Sequence, residues 1–309
     1  MVERSKSARI SFAAYAESNE QLRHVCLLAE SIREFAGELS DAPVLIYVPE
    51  EFSDRDESLI ERLLAAGAKV KECTIPEATA WFYYAGKTHA AGLAESELAG
   101  STEIMVWLDE DTIVLQEPTE LMLSPGIAFG YRPVMHNRSG TLYGEPPTPF
   151  WAQIYEVLEI EPDSLFPMMT PADRQQIRAY FNAGLLAVRP ELGILRGWGE
   201  SFRELCADST LAQMCREDVE KRIFLHQTAL VGAVFQRLQR QEMVELSERY
   251  NYPLFFKRQY GALEEFDDLG DVVTLRYDVY FRNPEPDWAE KLKGSPEKLS
   301  WLKSHLKSE

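Results

Sequence analysis

The chain has 309 residues and 45% hydrophobic content, enough to bury a full core, which excludes a disordered segment, a fibrous repeat and a disulfide-stapled miniprotein. Lys and Arg number 32 against 50 Asp and Glu, and the net charge of −18 repels phosphate backbones, so no nucleic acid is expected as a partner. Cys26, Cys73, Cys206 and Cys215 form no C-x-x-C pair and no zinc-type cluster, the apolar stretch near the amino terminus soon reaches Glu17, and no run has the length of a membrane span; the expectation is a cytoplasmic protein with reduced thiols.

Arg9 to Ala16 is a short apolar run that predicts a first strand, and Ser18 with Gln21 has the spacing of a capping box. Leu22, Val25, Ala29, Ile32 and Ala36 then repeat at helical steps up to Gly37. Val44 to Val48 predicts a second strand, stopped by Pro49. Asp54 is the expected cap of a helix carrying Leu59, Ile60, Leu63 and Leu64, and Lys69 to Ile75 a third strand. Trp81 to Leu98 reads as a longer helix closed by Gly100, delivering the chain into the fully apolar Ile104-Met105-Val106-Trp107-Leu108, a pattern suited to a central parallel strand. This alternation predicts an α/β fold, a Rossmann-like, mostly parallel central sheet with helices on both faces, whose ligands bind at the strand carboxyl ends.

Beyond Pro118 the rhythm loosens. Between Pro133 and Pro171 only a helix near Trp151 to Leu158 is predicted, and this irregular stretch is expected to shape the substrate site. Ala179 to Val188 predicts another strand, Leu192 to Cys206 a helix, Leu225-His226-Gln227 the start of a further one, and Val272 to Phe281 a late strand. The expected organisation is one domain over residues 1–285 and an amphipathic helical tail over 286–309. In that tail Leu299, Leu302 and Leu306 form a stripe flanked by Lys298, Lys303 and Lys307. With Trp288 and Trp301 it suits either weak contact with an anionic membrane surface or docking on its own domain.

The chemistry concentrates at Asp109-Glu110-Asp111, three adjacent acids ending an apolar strand just before Thr112-Ile113-Val114-Leu115 returns the chain to the core. In extended backbone Asp109 and Asp111 lie on one side, where their oxygens suit a hard cation, Mn²⁺ or Mg²⁺. A solvated acidic loop is the plain alternative. A bound cation would bridge the carboxylates to a polyphosphate and so point to a nucleotide diphosphate.

In this frame the chain resembles the GT-A fold glycosyltransferases, in particular the retaining glycogenin and lipopolysaccharide galactosyltransferase group. Asp109-Glu110-Asp111 is similar to that family's D-x-D, and Phe181-Asn182-Ala183-Gly184-Leu185-Leu186 to its later F-N-[SA]-G strand. Leu28 to Arg33, Lys87 to Glu95 and Tyr250-Asn251-Tyr252-Pro253 resemble further segments, so the likeness spans about residues 9 to 282. Two departures stand out: His226-Gln227 replaces a customary D-Q, and the late histidine motif that completes the family's metal site is missing, with Arg276-Tyr277-Asp278-Val279-Tyr280-Phe281 in its region.

The resemblance implies a metal-dependent transfer of a sugar from a nucleotide diphosphate donor, a UDP-sugar by family weight, to an unknown acceptor hydroxyl, with retention of configuration. Asp109, Asp111 and Asp278 are the implied metal ligands, with Arg276 an alternative that meets the diphosphate directly. Ala14, Tyr15, Ala16, Lys87, Glu110, Asn182 and Gly184 are the implied donor contacts; Gln227 and Asn182 are the implied catalytic residues, Gln227 beneath the anomeric carbon and Asn182 bonding donor-sugar hydroxyls. Structural readings stand next to these: Tyr15 as a core aromatic, Lys87 as a solvated lysine, Asn182 as a backbone tie, His226 as a structural histidine. Two other functions fit parts of the sequence: a haloacid-dehalogenase-like phosphatase using Asp109 and Asp267-Asp268, and a non-catalytic sugar-nucleotide binder.

Overall fold

A computed structural model describes residues 8–254, 268–277 and 292–306. The first strand, β1 (Ala8–Tyr15), is buried over its last six residues. Ser18 then caps α1 (Asn19–Phe35) by accepting from Gln21 N at 3.2 Å, as the capping-box spacing predicts. β2 (Val44–Pro49), α2 (Glu57–Ala65), β3 (Ala68–Cys73), α3 (Ala85–Leu98) and β4 (Thr102–Leu108) continue the alternation. α2 is capped by Asp56, whose carboxylate accepts from Ser58 N, and not by Asp54, whose carbonyl instead takes a bond from Asn19 Nδ2. α3 begins four residues later than Trp81 because Tyr84 sits in the left-handed region at φ 63°, where the helix cannot continue upstream.

The central sheet has seven strands in the order β10-β6-β9-β4-β1-β2-β3, with β5 (Thr112–Val114), β6 (Phe129–Pro133), β9 (Phe181–Val188) and β10 (Met243–Glu245) completing the numbering of its neighbourhood. β3, β2, β1 and β4 pair in parallel, and β10 is parallel to β6. β9 runs antiparallel between β4 and β6. An apolar run shows that a strand is buried but not its direction, so this reversal was invisible in the sequence pattern. β6 and β10 also lie where no strand was predicted. A two-stranded ribbon, β7 (Pro167–Met169) with β8 (Gln176–Arg178), follows α4 (Pro149–Val157) in the proline-rich stretch.

Two apolar layers sandwich the sheet. On one face Phe12, Ile46, Val106 and Leu185 pack against Leu22, Val25 and Leu28 of α1 and Leu59 and Leu63 of α2. On the other, Ala13, Trp107 and Leu186 meet α3, α5 (Ile194–Ala207) and α7 (Val219–Phe235), with α6 (Ser209–Glu217) alongside. α3 is rich in small residues on this side, and its buried Glu95 accepts from Arg196 N at 2.8 Å, clasping the first turn of α5. Burial raises the Glu95 carboxyl above its ordinary pKa, against the lowering effect of the α5 amides.

A small second sheet, β11 (Tyr252–Pro253), β12 (Thr274–Arg276) and β5, sits beside the carboxyl end of β4. Its core includes Ile113, Leu115 and Leu275 and takes in Leu302 of helix α8 (Pro296–His305) and Leu306 at its end. The Trp301 ring meets Phe35 edge-on with centroids 5.5 Å apart. Of the two fates the sequence allowed, docking on its own domain is the one seen for Leu302 and Leu306, which are turned into the protein against α1 and this sheet. Trp288 lies outside the described residues, and among those residues no helix is long and apolar enough to cross a membrane.

Candidate active site

The site forms where β4 leaves the sheet. Asp109 N still donates to Gly184 O of β9 at 2.8 Å, and Thr112 N donates to Asp109 O at 3.1 Å, so the three acids sit in a tight turn between β4 and β5. Asp111 is nearly fully buried. The antiparallel register of β12 with β5 places Arg276 opposite Thr112, and Tyr277 N donates to Asp111 O at 3.2 Å. Arg276 is thereby delivered to the acids by two strands. Its Nη1 lies 3.0 Å from Asp109 Oδ2, and its Nε donates to Asp111 Oδ1. From the other side Lys87, on the first turn of α3, forms an ion pair with Asp109 Oδ1. The left-handed turn at Tyr84 starts that helix, and the Lys87 ammonium stands 5.4 Å from the Tyr84 ring centroid.

These pairs set the electrostatics. Burial alone would raise the Asp109 carboxyl, but Lys87 and Arg276 outweigh it and hold the group below its ordinary range. Burial likewise opposes the Arg276 charge, and Asp111 and Asp109 more than offset it. At Glu110 burial, then Asp109 and Asp111, outweigh the lowering pull of Lys87 and Arg276 and push the carboxyl up to about 7. Its Oε1 accepts from Gln21 Nε2 at 3.1 Å.

The arrangement does not fit Mn²⁺ or Mg²⁺ as expected. Both Asp109 oxygens and Asp111 Oδ1 already face cationic nitrogens, so a dication at these oxygens would meet an ammonium and a guanidinium at contact distance. Among the described residues no group of three or more His, Cys, Asp or Glu is placed to hold a metal. The third expected ligand, Asp278, lies outside the described residues.

Beside the acids, β9 and α7 bring Asn182 and Gln227 together. Asn182 Oδ1 accepts from Gly184 N at 2.8 Å and from Asn251 Nδ2 at 3.1 Å, so half of its amide ties backbone and neighbour. Gln227 Oε1 accepts from Ala183 N at 3.2 Å, which fixes the side chain against β9. Both residues line a cleft of about 240 Å³ with His136, Arg138, Ser139 and Phe224. Gly184 is required here: a Cβ would stand 2.5 Å from Arg276 Nη1 and 2.9 Å from Asp109 Oδ2. The glycine thus admits the guanidinium and the carboxylate, whereas the sequence suggested that it admits a ligand.

A family model for a Rhodobacterales glycosyltransferase domain matches residues 13–238, well over half of the chain and all of β4, β9 and α7. The chain belongs to this glycosyltransferase family. Among solved structures, the transferase is similar to the galactosyltransferase LgtC in complex with donor and acceptor sugar analogs, at 14% identity over 97% of both chains with a TM-score of 0.56. An active-site glutamine-to-glutamate mutant of LgtC matches at 15% identity over 97% of both chains, TM-score 0.51. The bifunctional glycosyltransferase WbbM matches at 12% identity over 94% of this chain and 52% of its own, TM-score 0.53. These likenesses show the GT-A fold. No protein of curated function matches the sequence.

The remaining expected donor contacts of the transferase are placed as follows. The Ala14 and Ala16 methyls are fully buried in the α1 layer. Tyr15 packs against Gly86 at the start of α3, leaving no room for a side chain there, and its hydroxyl donates to Glu17 Oε2 at 2.9 Å. Lys87 is a buried ion-pair partner, not a solvated lysine. His226 is a structural histidine: its Nδ1 lies 2.7 Å from Ile223 O, its ring packs on Tyr84 with centroids 4.3 Å apart, and burial together with Lys87 lowers its pKa to about 3. The phosphatase layout is absent among the described residues, since Asp109 has both oxygens in ion pairs and Asp268 caps a short turn through Gly270 N. Sequence reasoning missed Tyr84, Gln21 and Asn251. The signal for Tyr84 was a run of aromatics, Trp81 to Tyr84, in front of a lysine; Asn251, in the left-handed region with a buried Oδ1 that lacks a hydrogen-bond partner among the described residues, had only the Tyr250-to-Pro253 resemblance.

Proposed function

We propose that the transferase moves a sugar from a nucleotide diphosphate donor, a UDP-sugar, to an acceptor hydroxyl, with retention of anomeric configuration. One observation carries the reading. At the carboxyl end of the central sheet, where ligands of open α/β sheets bind, a buried charged cluster stands beside a cleft lined by Asn182 and Gln227. The complex of LgtC with donor and acceptor sugar analogs, and the glutamine in LgtC's active site, support this assignment.

In the proposed reaction the bond from the anomeric carbon to the diphosphate oxygen breaks, and its electron pair leaves with the diphosphate. The acceptor oxygen forms the new bond on the same face and loses its proton to the departing phosphate. Gln227, a neutral amide held by Ala183 N, would stabilise the positive charge that develops on the sugar without becoming a covalent nucleophile. Arg138 and Ser139 also line a neighbouring, larger cleft of about 370 Å³, with Phe150, Met214 and Lys221, which would offer room for the acceptor.

Incubation with a panel of nucleotide sugars, read by nucleoside diphosphate release and by the anomeric proton coupling of the product, tests the proposal. Release from one donor class with retained coupling supports it. Inverted coupling removes the retaining assignment, and tight nucleotide binding with neither hydrolysis nor transfer favours a non-catalytic binder.

A further inference from the structure

We propose that this site grips the donor diphosphate without a metal ion, using Arg276 and Lys87 as the cationic contacts and Asp109 and Asp111 as their counter-ions. The inference rests on the donor reading above and concerns how that donor is held. Four side chains from α3, the β4–β5 turn and β12 form one paired cluster: Lys87 with Asp109, and Arg276 with both Asp109 and Asp111. The pairing is built into the fold. The β5–β12 register sets Arg276 beside Asp111, the Tyr277 N to Asp111 O bond locks that register, and Gly184 leaves the space that the guanidinium occupies. A divalent ion at the acids would have to displace both cations or sit among them.

Arginine also suits the task assigned to it. A guanidinium offers five N–H donors in a planar fork that matches phosphate oxygens, and here Nε and Nη1 are directed at the aspartates while Nη2 has no partner among the described residues. The Arg276 side chain is 21% exposed, against 12% for Asp109, 8% for Lys87 and 4% for Asp111, so the guanidinium is the member of the cluster that most reaches the surface. Lys87 adds a second charge over the Tyr84 ring. Together they would offset the negative charge that grows on the leaving diphosphate as its bond to the sugar breaks, while the acceptor's proton passes to that same phosphate. No oxidant, reductant or further reactant enters the step.

The test uses the intact chain, freed of metal with excess EDTA. The probes are uridine, guanosine, adenosine and cytidine diphosphates, read by calorimetry and thermal shift with EDTA or with saturating Mn²⁺. The expected result is that one diphosphate binds with affinities agreeing within about two-fold in the two conditions, and that Mn²⁺ alone does not raise the melting temperature. Arg276→Lys, which keeps the charge but loses the fork, is expected to weaken that binding about ten-fold in EDTA, with its far-ultraviolet circular dichroism unchanged. Binding that appears only with Mn²⁺, or tightens about ten-fold or more with it, overturns the metal-free site and leaves the donor reading intact. Binding of no nucleoside diphosphate in either condition overturns the donor reading itself, and the metal-free site with it.

Discussion

Arg276 shows how much one residue decides in this site. Burying a charge is costly unless a partner compensates it, and removing one member of a buried pair typically destabilises by about 3–5 kcal/mol because the survivor is left uncompensated. Arg276→Met strips a partner from two carboxylates at once. Chemical denaturation should therefore show a loss of about 3–5 kcal/mol, partly restored by adding Asp111→Asn; additive losses in the double variant would show that the pair is not coupled. Glu110 gives a second test at this scale. The unfolded carboxyl titrates near 4.5, whereas the folded one holds its proton up to about 7. Folding therefore takes up a proton between those values, and this group's contribution to stability is full below about 4.5 and declines until about 7. Glu110→Gln, neutral at every pH, should melt a few degrees higher than the parent at pH 8 and no higher at pH 4. His226 adds the opposite slope: its folded pKa near 3 favours the neutral ring, so its contribution is present above about 6.5 and is lost as pH falls toward 3. An equal shift from Glu110→Gln at both pH values would contradict the assigned environment.

At the scale of elements, α8 is the clearest case of competing fates for one amphipathic stripe. Leu302 is fully buried among Leu27, Ile113 and Leu275, so Leu302→Ala should cost about 2–4 kcal/mol in unfolding free energy. A helix that served a membrane surface instead would lose vesicle binding on this change and keep its stability. The elements also show which parts of the fold the sequence made legible. β1, α1, β2, α2, β3 and β4 followed from periodicity and capping residues because each has an amphipathic or fully apolar pattern of ordinary length. β6, β10 and the β7–β8 ribbon did not, being three to five residues long and placed by pairing with distant segments, such as Phe129 with Met243 and Val188. The start of α3 was misplaced because a left-handed Tyr84 leaves no compositional mark. In the site, Asp109, Asp111, Asn182 and Gln227 were found through motifs and do converge around the end of β4. The partnership of Arg276 with the acids was not legible, since it depends on a strand register across 165 residues of chain.

Across the whole molecule, a chain of net charge −18 would, on the proposed reading, still have to bind a polyanionic donor. The fold brings a guanidinium from β12 and an ammonium from α3 together at the carboxyl end of β4, and the acids beside them fix those cations in place. A second cleft, in which Arg138 pairs with Glu220 and Lys221 with Asp218, offers the competing location for a phosphate. The most direct test of the account is therefore a crystal structure of the chain with UDP bound. The account predicts phosphate oxygens within hydrogen-bonding distance of Arg276 and Lys87 at the carboxyl end of β4, next to Gly184. Phosphates seated instead against Arg138 and Lys221, with Arg276 and Lys87 touching only Asp109 and Asp111, would contradict it.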